Sequence, residues 1–310
     1  MGNSTRASAL FLVISAFIAC LSGCGGGSSN PPVNQNPANC SATATEHLYV
    51  VSNGQLLQYA LPLASSSTPC ATVMNTANPI NAVAVDSNGN LAVADSGNHI
   101  SIYNAPISNS STPSATFTNG TATVTPQLAF NAAGDLFAAT GVGVNVFRHP
   151  LSSSSTVSQA IGLSLVNGLA VDASGNLYTT DADIFGRNEI EVLAPPYTGT
   201  PVVSGITGGI GSHFSEIALS STQLFVASIG GEQPGGVFSF TLPTTAGQSG
   251  GLTLAQDSFS VSGVAVDGNG NVYVSVGNGI RVYAPPISNS STSQLTLFPP
   301  GPPNEIATGK

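Results

Sequence analysis

Ile80-Asn81-Ala82-Val83-Ala84-Val85-Asp86-Ser87-Asn88-Gly89-Asn90-Leu91-Ala92-Val93-Ala94-Asp95 decides the fold. Two apolar runs, too short for helices, flank a polar segment with one glycine. A glycine just before a returning strand supplies the left-handed backbone position of a bulged hairpin loop. The chain turns again at Ser96-Gly97-Asn98-His99 and continues as Ile100-Ser101-Ile102-Tyr103. Pro106 ends that run, Ser108 to Thr112 form a loop, and Ser114-Ala115-Thr116-Phe117 make a fourth strand. The stretch therefore predicts four antiparallel strands in meander order.

The same unit recurs. An aromatic residue or leucine is followed three positions later by proline at Tyr59/Pro62, Tyr103/Pro106, Phe147/Pro150, Leu193/Pro196, Phe240/Pro243 and Tyr283/Pro286, at steps of 43 to 47 residues. The glycine turn recurs as Ala133-Gly134-Asp135, Ser174-Gly175-Asn176 and Asn269-Gly270-Asn271; Ser220-Ser221-Thr222-Gln223 departs, one residue shorter and without glycine. Repeats of about 40–50 residues, each a four-stranded sheet, indicate a β-propeller. The expected fold is all-β, with six blades of four antiparallel strands. The first unit, from Glu46, lacks an inner strand, and Pro303 to Thr308 parallels Pro79 to Val85. The N- and C-terminal strands are thus expected to share one blade and close the ring, which removes exposed sheet edges.

Composition agrees. Of 310 residues 6% are charged and 41% apolar, with 35 glycines, 21 prolines and no tryptophan. A net charge of −9 repels phosphate backbones and excludes nucleic acid as a partner. Beyond the first two dozen residues no apolar run approaches the roughly 20 residues of a spanning helix.

At the N-terminus, Arg6 precedes an apolar stretch from Ala7 to Ala19, followed by Leu21-Ser22-Gly23-Cys24. This order is that of an export signal, and the last four residues resemble the bacterial lipobox. The resemblance implies cleavage before Cys24 and a diacylglycerol on its thiol; Gly25 after it implies the outer membrane or cell surface. Residues 1–23 are expected to be the signal peptide, 24–45 a lipidated tether rich in Gly, Ser, Pro and Asn, and 46–310 the propeller. As a flexible coil the tether spans about 25 Å. Cys40 and Cys70 remain, in an oxidising compartment, either bridged or as two free thiols.

Val93-Ala94-Asp95-Ser96-Gly97-Asn98-His99-Ile100 resembles the NHL-repeat signature, and Val171 to Tyr178 resembles the same repeat's inner hairpin. The propeller plan is also distantly similar to calcium-assisted lactonases of the SMP-30/gluconolactonase type. That resemblance implies oxygen ligands where inner strands begin: Asn81, Pro126, Asn167, Ser215, Ser262 and Asn304 here. None is a carboxylate. Glu216 and Glu305 lie one residue later, and in regular strands they would point elsewhere. Polar channel lining by Asn81, Asn167, Ser215, Ser262 and Asn304 is the expectation, with calcium the alternative and no other cofactor.

No catalytic residue is assigned. Gly247-Gln248-Ser249-Gly250-Gly251 matches a nucleophile elbow in letters but lies in a loop, without the strand and helix the chemistry needs. His47, His99, His149 and His213 form no metal-spaced pair. Charge is more telling: Asp181, Asp183, Arg187, Glu189, Glu191, Glu216 and Glu232 crowd into two neighbouring repeats. Asp181, Asp183, Arg187, Glu189, His213, Glu216 and Glu232 form the candidate ligand face, and Asp135 is expected to be an uninvolved turn carboxylate. The functional expectation is a membrane-tethered exported binding or scaffold module. It would be monomeric, joined to the membrane by its lipid and holding a protein or carbohydrate ligand. A lactonase- or lyase-like enzyme using the channel is the alternative, and a structural envelope protein is a third.

Overall fold

The computed structural model describes residues 40, 44–74, 78–121, 127–163, 165–182, 188–207, 212–230, 235–256 and 261–310. Cys24, the signal, most of the tether, Asp183, Arg187 and Glu232 lie outside the described residues, as does the side chain of Asp181. Blade one holds β1 (His47–Ser52), β2 (Gln55–Ala60) and β3 (Ala71–Met74). Blade two is β4 (Ile80–Val85), β5 (Leu91–Asp95), β6 (His99–Tyr103) and β7 (Ala115–Thr118). Blade three is β8 (Leu128–Phe130), β9 (Leu136–Thr140), β10 (Gly143–Phe147) and β11 (Gln159–Gly162). Blade four is β12 (Leu165–Val171), β13 (Leu177–Ala182), β14 (Asn188–Leu193) and β15 (Val203–Thr207). Blade five is β16 (Ser212–Leu219), β17 (Gln223–Gly230), β18 (Gly236–Thr241) and β19 (Gly251–Leu254). Blade six is β20 (Val261–Val266), β21 (Val272–Val276), β22 (Gly279–Tyr283) and β23 (Leu295–Leu297). The last strand, β24 (Pro303–Gly309), returns to blade one, whose order is β24-β1-β2-β3. Val50 pairs with Ile306 on one side and Leu57 on the other. The six four-stranded blades and the closure agree with the sequence reading.

Both faces of each blade are covered, so the second strands are buried throughout, as in β5, β9 and β21. That is why they read as continuous apolar runs. Six core clusters result, each at a junction of adjacent blades. Leu48 and Val50 pack toward blade six, while Tyr49 and Val51 pack toward blade two. Alternate side chains of one strand thus serve two cores.

The turn glycines have the backbone their position demands: φ is +84° at Gly89 and +83° at Gly134. A side chain at the head of each turn fixes the loop. Asp86 Oδ1 accepts N–H bonds from Asn88 and Asn90 at 2.8 Å. Asp172 and Asp267 do the same in blades four and six.

Outer strands are sheet edges, and the long loop of the following blade covers them. Asn109 Oδ1 accepts from Thr72 N–H at 2.7 Å, Ser153 Oγ from Thr116 N–H at 3.3 Å, and the Thr207 carbonyl accepts from Gly250 N–H at 3.2 Å. Each of the six prolines of the repeat motif follows a cis peptide bond at the start of such a loop. Cys40 and Cys70 are joined by a disulfide, which ties the end of the tether to the residue before β3.

Candidate functional site

Inner strands β4, β8, β12, β16, β20 and β24 surround a central cavity of about 250 Å³. Each is an edge strand whose inward N–H and C=O groups lack a strand partner, so something else must satisfy them. The strands do so with side chains placed at irregularities. Register shifts fall between Ile80 and Ala82, Val166 and Gly168, Phe214 and Ile217, and Val261 and Gly263. In β24 the pairing skips Asn304. The five residues read as channel lining (Asn81, Asn167, Ser215, Ser262 and Asn304) are therefore at bulges, which re-aim side chains.

Three of them bridge neighbouring blades. Asn167 Nδ2 donates to the Phe214 carbonyl at 3.4 Å, Ser215 Oγ to the Ser262 carbonyl at 3.3 Å, and Ser262 Oγ to the Pro303 carbonyl at 3.1 Å. Each bond joins one blade to the next at the start of its inner strand. The wall of the cavity begins one to two residues further on, with segments such as Val83–Val85, Gln127–Phe130 and Ile306–Thr308.

Glu216 and Glu305 are the main correction. Regular alternation would have turned them away; the bulges bring both inward. Glu216 is 5% exposed and Glu305 3%. Glu305 Oε1 accepts the Val83 N–H at 2.9 Å, and Glu216 Oε2 the Val264 N–H at 3.2 Å. Both thus reach from one blade to the same position of the next. Around the ring this layer reads Glu305, Ala82, Gln127, Gly168, Glu216, Gly263, with large polar and small residues alternating. The small ones make room. A Cβ on Gly263 would lie 2.6 Å from Glu216 Oε2, and one on Gly168 would run into the Ser215 carbonyl. Burial raises the pKa of both carboxyls well above the ordinary range, and for Glu216 the nearby Glu305 adds to it. A hard cation wants several carboxylate and carbonyl oxygens, six to eight for calcium. Here two carboxyls already accept backbone N–H bonds, and no group of three or more His, Cys, Asp or Glu converges among the described residues. The donor set does not fit a resident calcium ion.

The candidate ligand face separates into parts. Glu216 belongs to the channel. Glu189 is half-buried, directly across the ladder from Asp181, and His213 is exposed on β16. Strand direction places the ends of β13 and β17 and the start of β16 on one face, called upper here. The same face carries a feature the charge pattern did not announce. Val142, Leu165, Ile229 and Phe298 are exposed, Val142 to 78%, and all four occupy upper turns or the strand ends beside them. Among the described residues the other large exposed apolar one, Val202, is at the lower end of blade four.

Asp135 is also corrected. It is 7% exposed, ion-pairs with Arg148 Nη1 at 2.7 Å and accepts the His149 N–H at 3.0 Å. Burial alone would raise its pKa; the bonds from His149, Asn131 and Arg148 outweigh that and hold the carboxyl below its usual value.

No protein-family model matches the chain, and no curated protein does. Among solved structures it resembles the crystal structure of RRP9 WD40 repeats, with a TM-score of 0.57 and 14% identity over 84% of this chain and 80% of that one. At that identity the likeness establishes the propeller fold alone.

Proposed function

We propose that the protein is an exported, lipid-anchored propeller of NHL-like repeats that binds a partner protein through its upper face. The observation that carries this reading is the gathering of Val142, Leu165, Ile229 and Phe298 on the face that also bears His213 and the Asp181–Glu189 end of blade four. Apolar side chains held in water beside charged ones are what a protein-binding surface offers. The acidic balance of the chain, −9 overall, suits a partner with basic groups. The lipobox-like Cys24 and the Cys40–Cys70 disulfide support an address outside the reducing cytosol.

The test is cross-linking in intact envelopes. Val142→Glu with Leu165→Glu should lose the cross-linked partner of the wild type while melting at the same temperature. Val202→Glu, on the lower face, should keep it, and Cys24→Ser should release the protein from the membrane fraction. Retention of the partner by the upper-face variant would rule out the assignment of the face.

A second reading, an enzyme distantly similar to the SMP-30 lactonases, is favoured by the Glu216 carboxyl in the channel wall, with Glu305 close to it. A rise in melting temperature with millimolar calcium, abolished in Glu216→Gln, would move the balance toward it.

A further inference from the structure

The central cavity, of about 250 Å³, runs from the layer of Glu216 to the lower ends of the inner strands. At every second blade that layer holds a large polar side chain: Glu305 in blade one, Gln127 in blade three and Glu216 in blade five. Gln127 and Glu216 line the cavity, and Glu305 is close to Glu216. Gln127 is 7% exposed, and its side chain hydrogen-bonds to no described residue. Neither of its amide atoms is among the buried, sealed atoms that lack a partner, so the amide opens onto the cavity it lines. Gln127 also shows that an amide fits this layer. An amide oxygen could accept the Val83 and Val264 N–H bonds that Glu305 and Glu216 accept. Two carboxyls are there instead, both buried, with no Lys or Arg in the cavity wall. Their charge costs stability unless a cation offsets it.

We propose that the channel binds a small organic cation through a primary ammonium group, held by Glu216 and Gln127 with the Glu305 carboxyl close by. The donor set selects the class. A hard metal ion wants six to eight oxygens, more than this layer supplies. A primary ammonium has three N–H donors and no acceptor, so a few acceptors satisfy it. A Glu216 oxygen and Gln127 Oε1 provide two, and the inner-strand edges offer unpaired carbonyls for the third. An anion would be repelled by the carboxyls, a neutral molecule would leave their charge unanswered, and a quaternary ammonium has no N–H to donate. The volume lies below the about 300–1,000 Å³ of drug-sized sites, so the ligand is short. At the lower mouth Asp86, Asp172 and Asp267 follow the ends of β4, β12 and β20, against one cation, Lys310, after β24. An acidic rim draws cations toward the channel. The site is apart from the upper-face partner surface and does not depend on that reading.

The test uses the full-length lipoprotein in a non-ionic detergent. Methylammonium, ethanolamine and putrescine, as chlorides, are each titrated by isothermal calorimetry and by thermal melting at about pH 8 and about pH 5. Sodium and tetramethylammonium chlorides at equal ionic strength are the controls, because an acidic protein gathers cations of any kind. At least one primary ammonium should bind saturably at the higher pH and raise the melting temperature above both controls. At the lower pH its affinity should fall at least tenfold, because protonation removes the charge that holds it. Apart from Glu216 and Glu305, no residue of the layer or the cavity wall carries a charge. Glu216→Gln keeps an oxygen for the Val264 N–H, and Gln127→Leu removes an amide without a protein partner. Both variants should therefore fold, and each should weaken binding at least tenfold. Should Glu216→Gln fail to fold, Gln127→Leu alone decides. If none of the three probes exceeds the controls at tens of millimolar, the proposal is overturned. It is overturned equally if binding is unchanged by Gln127→Leu or by the change of pH.

Discussion

Asp135 shows how one carboxylate is committed by its surroundings. In blade two the turn is headed by Asp86, whose Oδ2 accepts from Asn90 Nδ2 at 2.9 Å. Blade three exchanges the two residue types: Asn131 Nδ2 donates to Asp135 Oδ2 at 3.1 Å, and Asn131 Oδ1 still accepts the N–H of Ala133 and of Asp135. The exchange leaves Asp135 with capacity for Arg148 and for the His149 N–H. Arg148 is half exposed, so solvent screens the ion pair and the backbone bond to the buried oxygen matters more. Asp135→Asn places an amide where an acceptor is required, and a loss of about 1–3 kcal/mol follows from one unsatisfied buried partner. Urea unfolding of this variant beside Asp183→Asn measures it, and equal stability of the two would show that the bonds contribute nothing. The pKa of Asp135 is lowered on folding, so its contribution is present above the unfolded value and lost as pH falls through the folded one. Sequence reading treated Asp135 as inert because both partners lie 13 and 14 residues away, on the far side of a hairpin whose register is set by the fold.

At the scale of the inner strands, what was legible and what was not divide along regularity. The strands, their order and the glycine turns repeat, and repetition exposes them. The bulges do not announce themselves in composition, and a bulge reverses which side a residue faces. Regular alternation therefore turns Glu216 and Glu305 away from the channel, although both residues stand out in the sequence. The serine-rich loops read as loops, but their capping of neighbouring strands is visible only once adjacent blades are in place. The inward carboxyls have a measurable consequence. The other four positions of their layer, Ala82, Gln127, Gly168 and Gly263, carry no charge to offset them. Both pKa values are raised by burial, so the stabilising contribution is complete below the unfolded carboxylate value and is lost as pH rises through the folded value. The wild type should lose stability as pH is raised from about 5, and the double variant Glu216→Gln, Glu305→Gln should flatten that slope. Chemical denaturation at a series of pH values gives both curves, and parallel slopes would show that the pair is not protonated in the folded state.

For the whole molecule, stability is tied to a closed ring. Each of the six cores is shared by two blades, so opening the ring at one junction strips one core of half its lining. The closing junction rests on β24. It gives Ile306 to the core between blades six and one, and Pro303 and Val266 accept across the seam from Ser262 Oγ and Thr308 Oγ1 at 3.1 and 2.6 Å. Glu305 extends the tie to blade two. Deleting residues 303–310 removes all of these and leaves β1 as an unpaired inner edge. Ile306 alone accounts for about 1.5–3 kcal/mol of lost burial, against a total stability for a domain of about 5–15 kcal/mol. The truncated chain should melt far lower or aggregate, while deletion of Lys310 alone, which lies beyond the strand, should spare the fold. A synthetic peptide of residues 303–310 should restore part of the lost melting temperature by adding to the exposed edge of β1 as a strand. It should need millimolar concentration, because in the intact chain the strand is already held beside its site at about that effective concentration. A truncated protein that melts like the wild type, and ignores the peptide, would mean that the junctions between the other blades hold the ring without its closing strand.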